Sequence, residues 1–127
     1  MSAVTAATAL LAAALLVACD RYDSNVHVVN GGDAQRGHDL IRQYGCGSCH
    51  TIPGVRGANS YVGPNLDGIA SRMYIAGVLP NDPENMVRWL QNPPEVDSKT
   101  AMPYLGISER DARDIAEYLY RLKAKGE

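Results

Sequence analysis

Two cysteines and a histidine lie within five residues of one another, in the order Cys46-Gly47-Ser48-Cys49-His50. This spacing is the C-x-x-C-H pattern of c-type haem attachment. Two thiols three residues apart on a helical turn reach the two vinyl groups of one haem, and the following histidine then lies under the iron. The pattern therefore predicts one covalent haem c held by Cys46 and Cys49, with His50 as an iron ligand.

The same five residues are open to two other interpretations, a thioredoxin-like redox pair and half of a zinc site. A zinc site needs a second Cys or His pair, and the sequence has no such pair. A thioredoxin motif follows a strand within βαβ surroundings, whereas residues 33–45 have the pattern of a helix. Both alternatives are therefore disfavoured.

The N-terminal segment has the pattern of an export signal. Residues 1–18 carry no charge, and the run TAATALLAAALLVA is too short to span a bilayer comfortably. Its ending, Leu16 to Cys19, resembles the lipobox of bacterial lipoproteins, which implies cleavage before Cys19 and lipid on that residue. The segment opens without Lys or Arg, so an uncleaved anchor and a leader removed elsewhere stay open as alternatives. All three place the rest of the chain across the membrane.

The length of the chain, 127 residues, indicates one folded domain. We expect a signal peptide or anchor at residues 1–18, a lipidated Cys19 with a flexible tether at 19–32, and the domain at 33–127. The three cysteines are then all used without a disulfide. With no Phe and one Trp, the core is small, and a buried cofactor would supply apolar mass. The net charge of −2 does not indicate nucleic-acid binding.

Three helices are predicted from caps and apolar stripes. Asp33 precedes AQRGHDLIRQYG, Asp82-Pro83 opens ENMVRWLQN before Pro93-Pro94, and Ser108 precedes the last helix. Residues 51–80 are rich in Gly, Pro, Asn and Ser and show no strand pattern, so the predicted class is all-α. Gly37, in the middle of a helix, indicates close crossing by another helix. His27, in the tether, and His38 are both expected to be solvated.

The sixth iron ligand is expected to be a methionine, since a thioether opposite histidine suits an electron-carrying haem. The candidates are Met73, Met86 and Met102. Met86 lies within a predicted helix, where methionine is ordinarily core filler. Met102 lies in the loop KTAMPYLG, which has no apolar stripe to explain it. We therefore predict that Met102 is the ligand.

From Gly32 to about Lys123 the sequence resembles the mono-haem cytochrome c family. The resemblance rests on GD…G before C-x-x-C-H, GPNL at residues 63–66, WLQNP at 89–93, and DIAEYL at 114–119. Met102 follows Pro93 by nine residues, as in mitochondrial cytochromes c. The resemblance implies a small cytochrome c fold, with three main helices and loops wrapped around one covalent haem. It also implies that the carbonyl of Pro64 accepts a hydrogen bond from His50.

A narrower likeness covers ASRMYIAGVLPNDPENMVRWLQNP, residues 70–93. It resembles the cytochrome c domain fused to subunit II of some bacterial haem-copper oxidases. That likeness implies that Trp89 packs beside Met102 and the haem, and that Arg72, Asn81 and Thr100 lie by the haem propionates. The membrane helices and copper domain of such a subunit have no counterpart in these residues.

These features together predict an electron carrier, not an enzyme, lipid-anchored on the periplasmic side of a bacterial inner membrane. Its partners would be donor and acceptor proteins of the respiratory chain, such as a haem-copper oxidase or a quinol-oxidising complex. One alternative is a fixed electron-transfer subunit of a quinol-oxidising or dehydrogenase complex. A haem enzyme or gas sensor, which needs an open sixth position, is the alternative from another class.

Overall fold

The computed structural model describes residues 27–122. Within that range the chain is mostly helical, and the predicted helical class is confirmed. In chain order the elements are α1 (Ala34–Gln43), a 3₁₀ turn (Cys46–Ser48), a second 3₁₀ turn (Ile69–Ser71), β1 (Tyr74–Ile75), β2 (Leu79–Pro80), α2 (Pro83–Gln91), α3 (Pro93–Val96) and α4 (Glu109–Tyr120). The predicted signal segment, Cys19 and the tether up to residue 26 lie outside the described residues.

The three predicted helix starts are confirmed by side-chain caps. The first N–H groups of a helix have no intrahelical acceptor, and an Asp or Ser side chain before the helix supplies one. The acceptors are Asp33 for Gln35 and Arg36 at 2.9 and 3.1 Å, Asp82 for Asn85 at 2.8 Å, and Ser108 for Asp111 at 3.2 Å.

The pair Pro93-Pro94 was predicted only to end the helix before it, and in the structure it also begins a new one. As expected, α2 ends at Gln91, just before Pro93. The same proline then takes the first position of the short helix α3. Proline suits that position because its missing N–H would have no intrahelical partner there.

The closest helix contact is between α1 and α4. A Cβ atom built on Gly37 would lie 1.9 Å from the backbone oxygen of Asp114, so only glycine fits. The close crossing predicted from Gly37 is confirmed. Asp114 is only 2% exposed. Its carboxylate accepts the backbone N–H of Asp33 at 2.7 Å and pairs with the guanidinium of Arg36.

A small antiparallel hairpin departs from the sequence prediction, which had no strand. Tyr74 pairs with Pro80 and Ile75 with Leu79. The turn between them includes Ala76 and Gly77, with φ of +52° and +74°. Each strand has two residues, which is too short for an alternating pattern to be visible in the sequence.

Residues 27–32 are packed against α4, although they were predicted as tether. Val29 is buried, and its N–H donates to a carboxylate oxygen of Glu117 at 3.1 Å. The ring of His27 stacks on Tyr120 with 4.4 Å between ring centroids. The prediction that His27 is simply solvated is therefore wrong.

The solvated prediction for His38 is also wrong. Its ring lies edge-on to Tyr118 at a centroid distance of 5.4 Å, and its Nε2 is 3.3 Å from the Gly54 carbonyl oxygen. Both histidines contact tyrosines of α4, which are distant in the sequence.

No helix between residues 27 and 122 has the length and apolar content to cross a bilayer.

Candidate functional site

The C-x-x-C-H residues form a single tight turn directly after α1. Gly45, with φ of +73°, lets the chain leave α1 and enter the 3₁₀ turn. The N–H groups of Cys49 and His50 both donate to the Cys46 carbonyl, at 3.2 and 3.0 Å. Both backbone bonds therefore fold Cys46, Cys49 and His50 onto a single turn.

The two thiols are free. Burial raises the pKa of the Cys46 thiol, which favours its neutral form. Beneath the turn, a Cβ atom on Gly47 would lie 2.9 Å from the backbone of Ala58, so glycine is needed for this packing. Within residues 27–122 no three His, Cys, Asp or Glu side chains converge in a way that could hold a metal ion.

His50 is fixed by the loop that follows it. Its Nδ1 lies 2.7 Å from the Pro64 carbonyl oxygen, which is the hydrogen bond expected from the resemblance. A carbonyl only accepts, so Nδ1 carries the proton and Nε2 carries the lone pair. A hydrogen bond of this kind sets the ring orientation and makes the other nitrogen a better metal ligand.

Gly63 has a role that the sequence analysis did not assign. A Cβ atom there would lie 2.6 Å from Cε1 and 2.8 Å from Nδ1 of His50. The Gly63 N–H also donates to the Cys49 carbonyl at 2.6 Å. Glycine at this position is the only signal available in the sequence, and its reason becomes visible only when the imidazole is placed beside it.

The three methionine candidates occupy different environments. Met86, in α2, is fully buried in the hydrophobic core of the domain, and Met73 is exposed beside the hairpin. Met102 is half-buried and packs against the core cluster that contains the buried Trp89. A half-buried loop thioether suits a ligand better than either alternative does, but the assignment of Met102 stays a prediction.

Thr100 holds the loop that carries Met102. Its hydroxyl oxygen accepts the Met102 backbone N–H at 3.1 Å, and its own N–H donates to the Asp97 carbonyl at 3.0 Å. The resemblance had implied a place for Thr100 by the haem propionates. The structure gives it a further task, which is to orient the Met102 backbone.

Arg72 and Asn81 are largely engaged by the protein itself. Nη2 of Arg72 donates to the carbonyls of Asn65 and Asp67. The Asn81 amide donates to the carbonyls of Ile69 and Arg72, both at 2.8 Å. The two side chains therefore brace residues 65–72, and their predicted contact with propionates stays a prediction.

Tyr120 completes the bracing of Asn81 from α4. Its hydroxyl donates to Oδ1 of Asn81 at 2.9 Å. Burial raises the pKa of Tyr120 well above the ordinary value, so the hydroxyl keeps its proton and remains a donor. This contact was missed because α4 and Asn81 are far apart in the sequence.

The residues present fit a covalently held haem. Two free thiols precede an imidazole with one fixed nitrogen, and a thioether is available from the Met102 loop. Large apolar side chains next to both ligand loops, Tyr61, Val62, Tyr104 and Leu105, are exposed on the polypeptide alone. Apolar side chains in such positions are expected where a large planar apolar group binds.

Lysine is scarce in the described part of the chain. Lys99 is the only lysine between residues 27 and 122. Three arginines of the described chain are paired with carboxylates, Arg36 with Asp111 and Asp114, Arg113 with Glu84 and Glu109, and Arg121 with Glu117. The described residues therefore do not form a lysine-rich ring.

A family model described as "Cytochrome c" matches residues 34–123. Cytochrome c oxidase subunit 2 of Alkalihalophilus pseudofirmus is 32% identical over 91 residues, which are 71% of this chain and 26% of that protein. The subunit 2 of Bacillus subtilis is 30% identical over 96 residues, which are 72% of this chain and 27% of that protein. This chain thus spans about a quarter of the length of these relatives.

Two solved structures have the same fold. Cytochrome c2 of Rhodobacter sphaeroides superposes with a TM-score of 0.57 at 27% identity, over 74% of this chain and 98% of that one. Cytochrome c2 of Paracoccus denitrificans superposes with a TM-score of 0.52 at 20% identity, over 72% of this chain and 97% of that one.

Proposed function

This chain belongs to the cytochrome c family and is an electron carrier with one covalent haem c, and we propose that it works in a bacterial respiratory chain. In this proposal it is lipid-anchored through Cys19 on the periplasmic side of the inner membrane. It passes single electrons to a terminal oxidase or within one.

The observation that carries this proposal is the geometry of His50. The imidazole follows the two thiols on one turn, and its Nδ1 proton is held by the Pro64 carbonyl at 2.7 Å. Nε2 is then the nitrogen with a free lone pair, on the ring edge away from Pro64. An imidazole presented in this way is suited to permanent axial ligation.

The chain's own residues have distinct tasks in the proposed site. Cys46 and Cys49 would hold the haem by thioether bonds, and His50 and Met102 would be the ligands of its iron. When bound, the haem supplies the one-electron iron couple. Trp89, which is buried in the core cluster against which Met102 packs, would keep that side of the site apolar.

The nature of the partner is suggested by the relatives and by the surface. The oxidase subunits named above match this chain over most of its length, so an oxidase is the acceptor we propose. The described surface has one lysine and therefore has no lysine-rich patch. Such a surface favours short-range docking over long-range electrostatic steering.

The experiment that tests the function is purification from bacterial membranes in mild detergent with partners retained. We expect the haem to stay on the denatured chain, oxidase subunits to co-purify, and Cys19→Ala to release the protein from membranes. The matched control is Ser24→Ala, in the same predicted tether, which should leave the membrane fraction unchanged. Loss of the pigment into acidified organic solvent would refute covalent attachment. Co-purification with a quinol-oxidising complex would instead favour a fixed subunit there.

A further inference from the structure

The hairpin region, residues 73–81, has exposed apolar side chains to which the proposed haem site gives no role. Its sequence, MYIAGVLPN, contains no charge. Met73, Tyr74 and Val78 are 80%, 55% and 48% exposed. Ile75 is buried and ties the hairpin to the body of the domain, which leaves its neighbours facing outward.

Exposed apolar side chains grouped on a short loop indicate a surface that contacts something else. Along the chain, the hairpin lies between the loops of His50 and Met102 and belongs to neither. It is closed at its base by Asn81, whose backbone N–H donates to the Met73 carbonyl at 3.0 Å. The hairpin is therefore a fixed projection of the domain.

The chain enters the domain beside this hairpin. His27, the first described residue, stacks on Tyr120, and the Tyr120 hydroxyl donates to Asn81 at the hairpin base. Val28, the next residue, is also exposed. The 26 residues that precede His27 include the uncharged apolar run at residues 1–18. The membrane-directed part of the sequence is thus attached at the hairpin side.

We propose that the hairpin of Met73, Tyr74 and Val78 rests on the lipid surface to which the N-terminal segment attaches the domain. This inference rests on the membrane anchoring proposed above. Tyrosine favours the membrane–water interface because its ring is apolar and its hydroxyl remains hydrated. The absence of charge from Met73 to Asn81 removes the cost of desolvating an ion. The anchor keeps the hairpin at high local concentration near the bilayer, so weak contacts are enough to hold the hairpin on the lipid surface.

This contact would orient the Met102 loop away from the membrane. Tyr120, on the hairpin side, is the last residue of α4, whereas the Met102 loop leads into its first turn at Glu109. The helix axis separates the two ends by about 18 Å, at 1.5 Å for each of its 12 residues. With the hairpin on lipid, the loop that carries Met102 would face an oxidase or donor that projects from the bilayer.

Lipid contact can be mapped directly on the intact protein. The full haem-loaded chain, extracted from membranes, is placed in phosphatidylcholine vesicles that contain a photoactivatable phosphatidylcholine. Flotation reports attachment, and mass spectrometry locates the labelled peptides. We expect the peptide with residues 73–80 to be labelled several-fold more than the one with residues 98–106.

Two paired variants sharpen the assignment. Tyr74→Glu with Val78→Asp should reduce hairpin labelling to background while flotation is retained. Gln43→Glu with Arg110→Gln, which makes the same change in net charge at two exposed positions, the last residue of α1 and the second of α4, should leave hairpin labelling unchanged. The absorption spectrum of the covalent haem checks that each variant is folded, and labelling of the unaltered protein tests the inference without any variant.

Each other outcome overturns the inference in a distinct way. A chain that floats with vesicles but has an unlabelled hairpin keeps its anchor and refutes the lipid contact. If the hairpin is shielded from water-soluble reagents in native membranes but is not labelled by lipid in vesicles, a protein covers it. That result also refutes the lipid contact. A chain that does not float refutes the anchoring, and the lipid contact fails with it.

Discussion

The hydroxyl of Tyr44, at the C-terminal end of α1, donates a 2.8 Å hydrogen bond to the carboxylate of Asp111 in α4. This bond, together with that from Arg36, lowers the pKa of Asp111. A carboxyl whose pKa is lower in the folded state stabilises the fold above its unfolded pKa of about 4, and loses this contribution as pH falls further. The contact therefore links the two crossing helices in a pH-dependent way.

Replacing Tyr44 by Phe should reduce the free energy of unfolding by about 1–2 kcal/mol at pH 7, because a hydrogen bond to a charged group is lost. The difference between the two proteins should shrink as pH falls below about 4, where Asp111 begins to take up a proton. Urea unfolding followed by circular dichroism at several pH values measures it.

The matched control is Tyr118→Phe, which removes a hydroxyl bonded at 2.7 Å to the neutral Pro53 carbonyl. Its cost of about 1 kcal/mol should not change across the same pH range. Equal pH dependence in the two variants would contradict the assignment to Asp111.

Gly37→Ala should destabilise the domain by about 3 kcal/mol or more, since its Cβ would overlap the Asp114 backbone and force α1 and α4 apart. Gly77→Ala is the control. Nothing lies within 4 Å of a Cβ there, and only its φ of +74° is unfavourable, so about 1 kcal/mol is expected. Chemical denaturation of both proteins ranks them, and the reverse order would refute the crossing geometry.

Met102→Ala should abolish the weak near-infrared band of sulfur-to-iron charge transfer in the oxidised protein. The midpoint potential should also fall, because an axial thioether raises it. Met73→Ala, at an exposed position, should leave both unchanged. Optical spectra and potentiometric titration measure the two quantities. A band that survives Met102→Ala but disappears with Met73→Ala would move the ligand to the hairpin.

Thr100→Val should loosen the Met102 loop, because the hydroxyl that accepts the Met102 N–H is lost. We expect the near-infrared band to disappear at a lower temperature in this variant than in the unaltered protein. Thr100→Ser keeps the acceptor and should restore most of the difference. If Ser and Val behaved alike, the hydroxyl would have no part in holding the loop.

The rate of electron transfer to an oxidase should depend only modestly on ionic strength. Lys99 is the only lysine of the described chain, and three of its eight arginines, Arg36, Arg113 and Arg121, are paired with carboxylates. Without a ring of lysines, long-range attraction between the partners should be weak, so salt should screen little of it. Stopped-flow kinetics at increasing salt tests this, and a steep decrease in rate would contradict it. Lys99→Ala should leave the salt dependence nearly unchanged.

Much of the candidate site could be predicted from local patterns. C-x-x-C-H, the caps at Asp33, Asp82 and Ser108, and a loop methionine each act through residues close in the chain. The hairpin could not be predicted, because two-residue strands have no period and its turn places Ala76 at positive φ. The ring contacts of His27 and His38 with tyrosines of α4 could not be predicted either.

The sequence by itself determined the covalent chemistry of the thiols, the order of the helices and the need for glycine at position 37, since these depend on spacing and side-chain type. Only the tertiary structure decided which groups meet across the fold. Tyr120 donates a hydrogen bond to Asn81, which is 39 residues away in the sequence. Arg36 donates one to the carboxylate of Asp114, which is 78 residues away. Such contacts depend on how the helices cross, and a local pattern carries no information about partners so far along the chain.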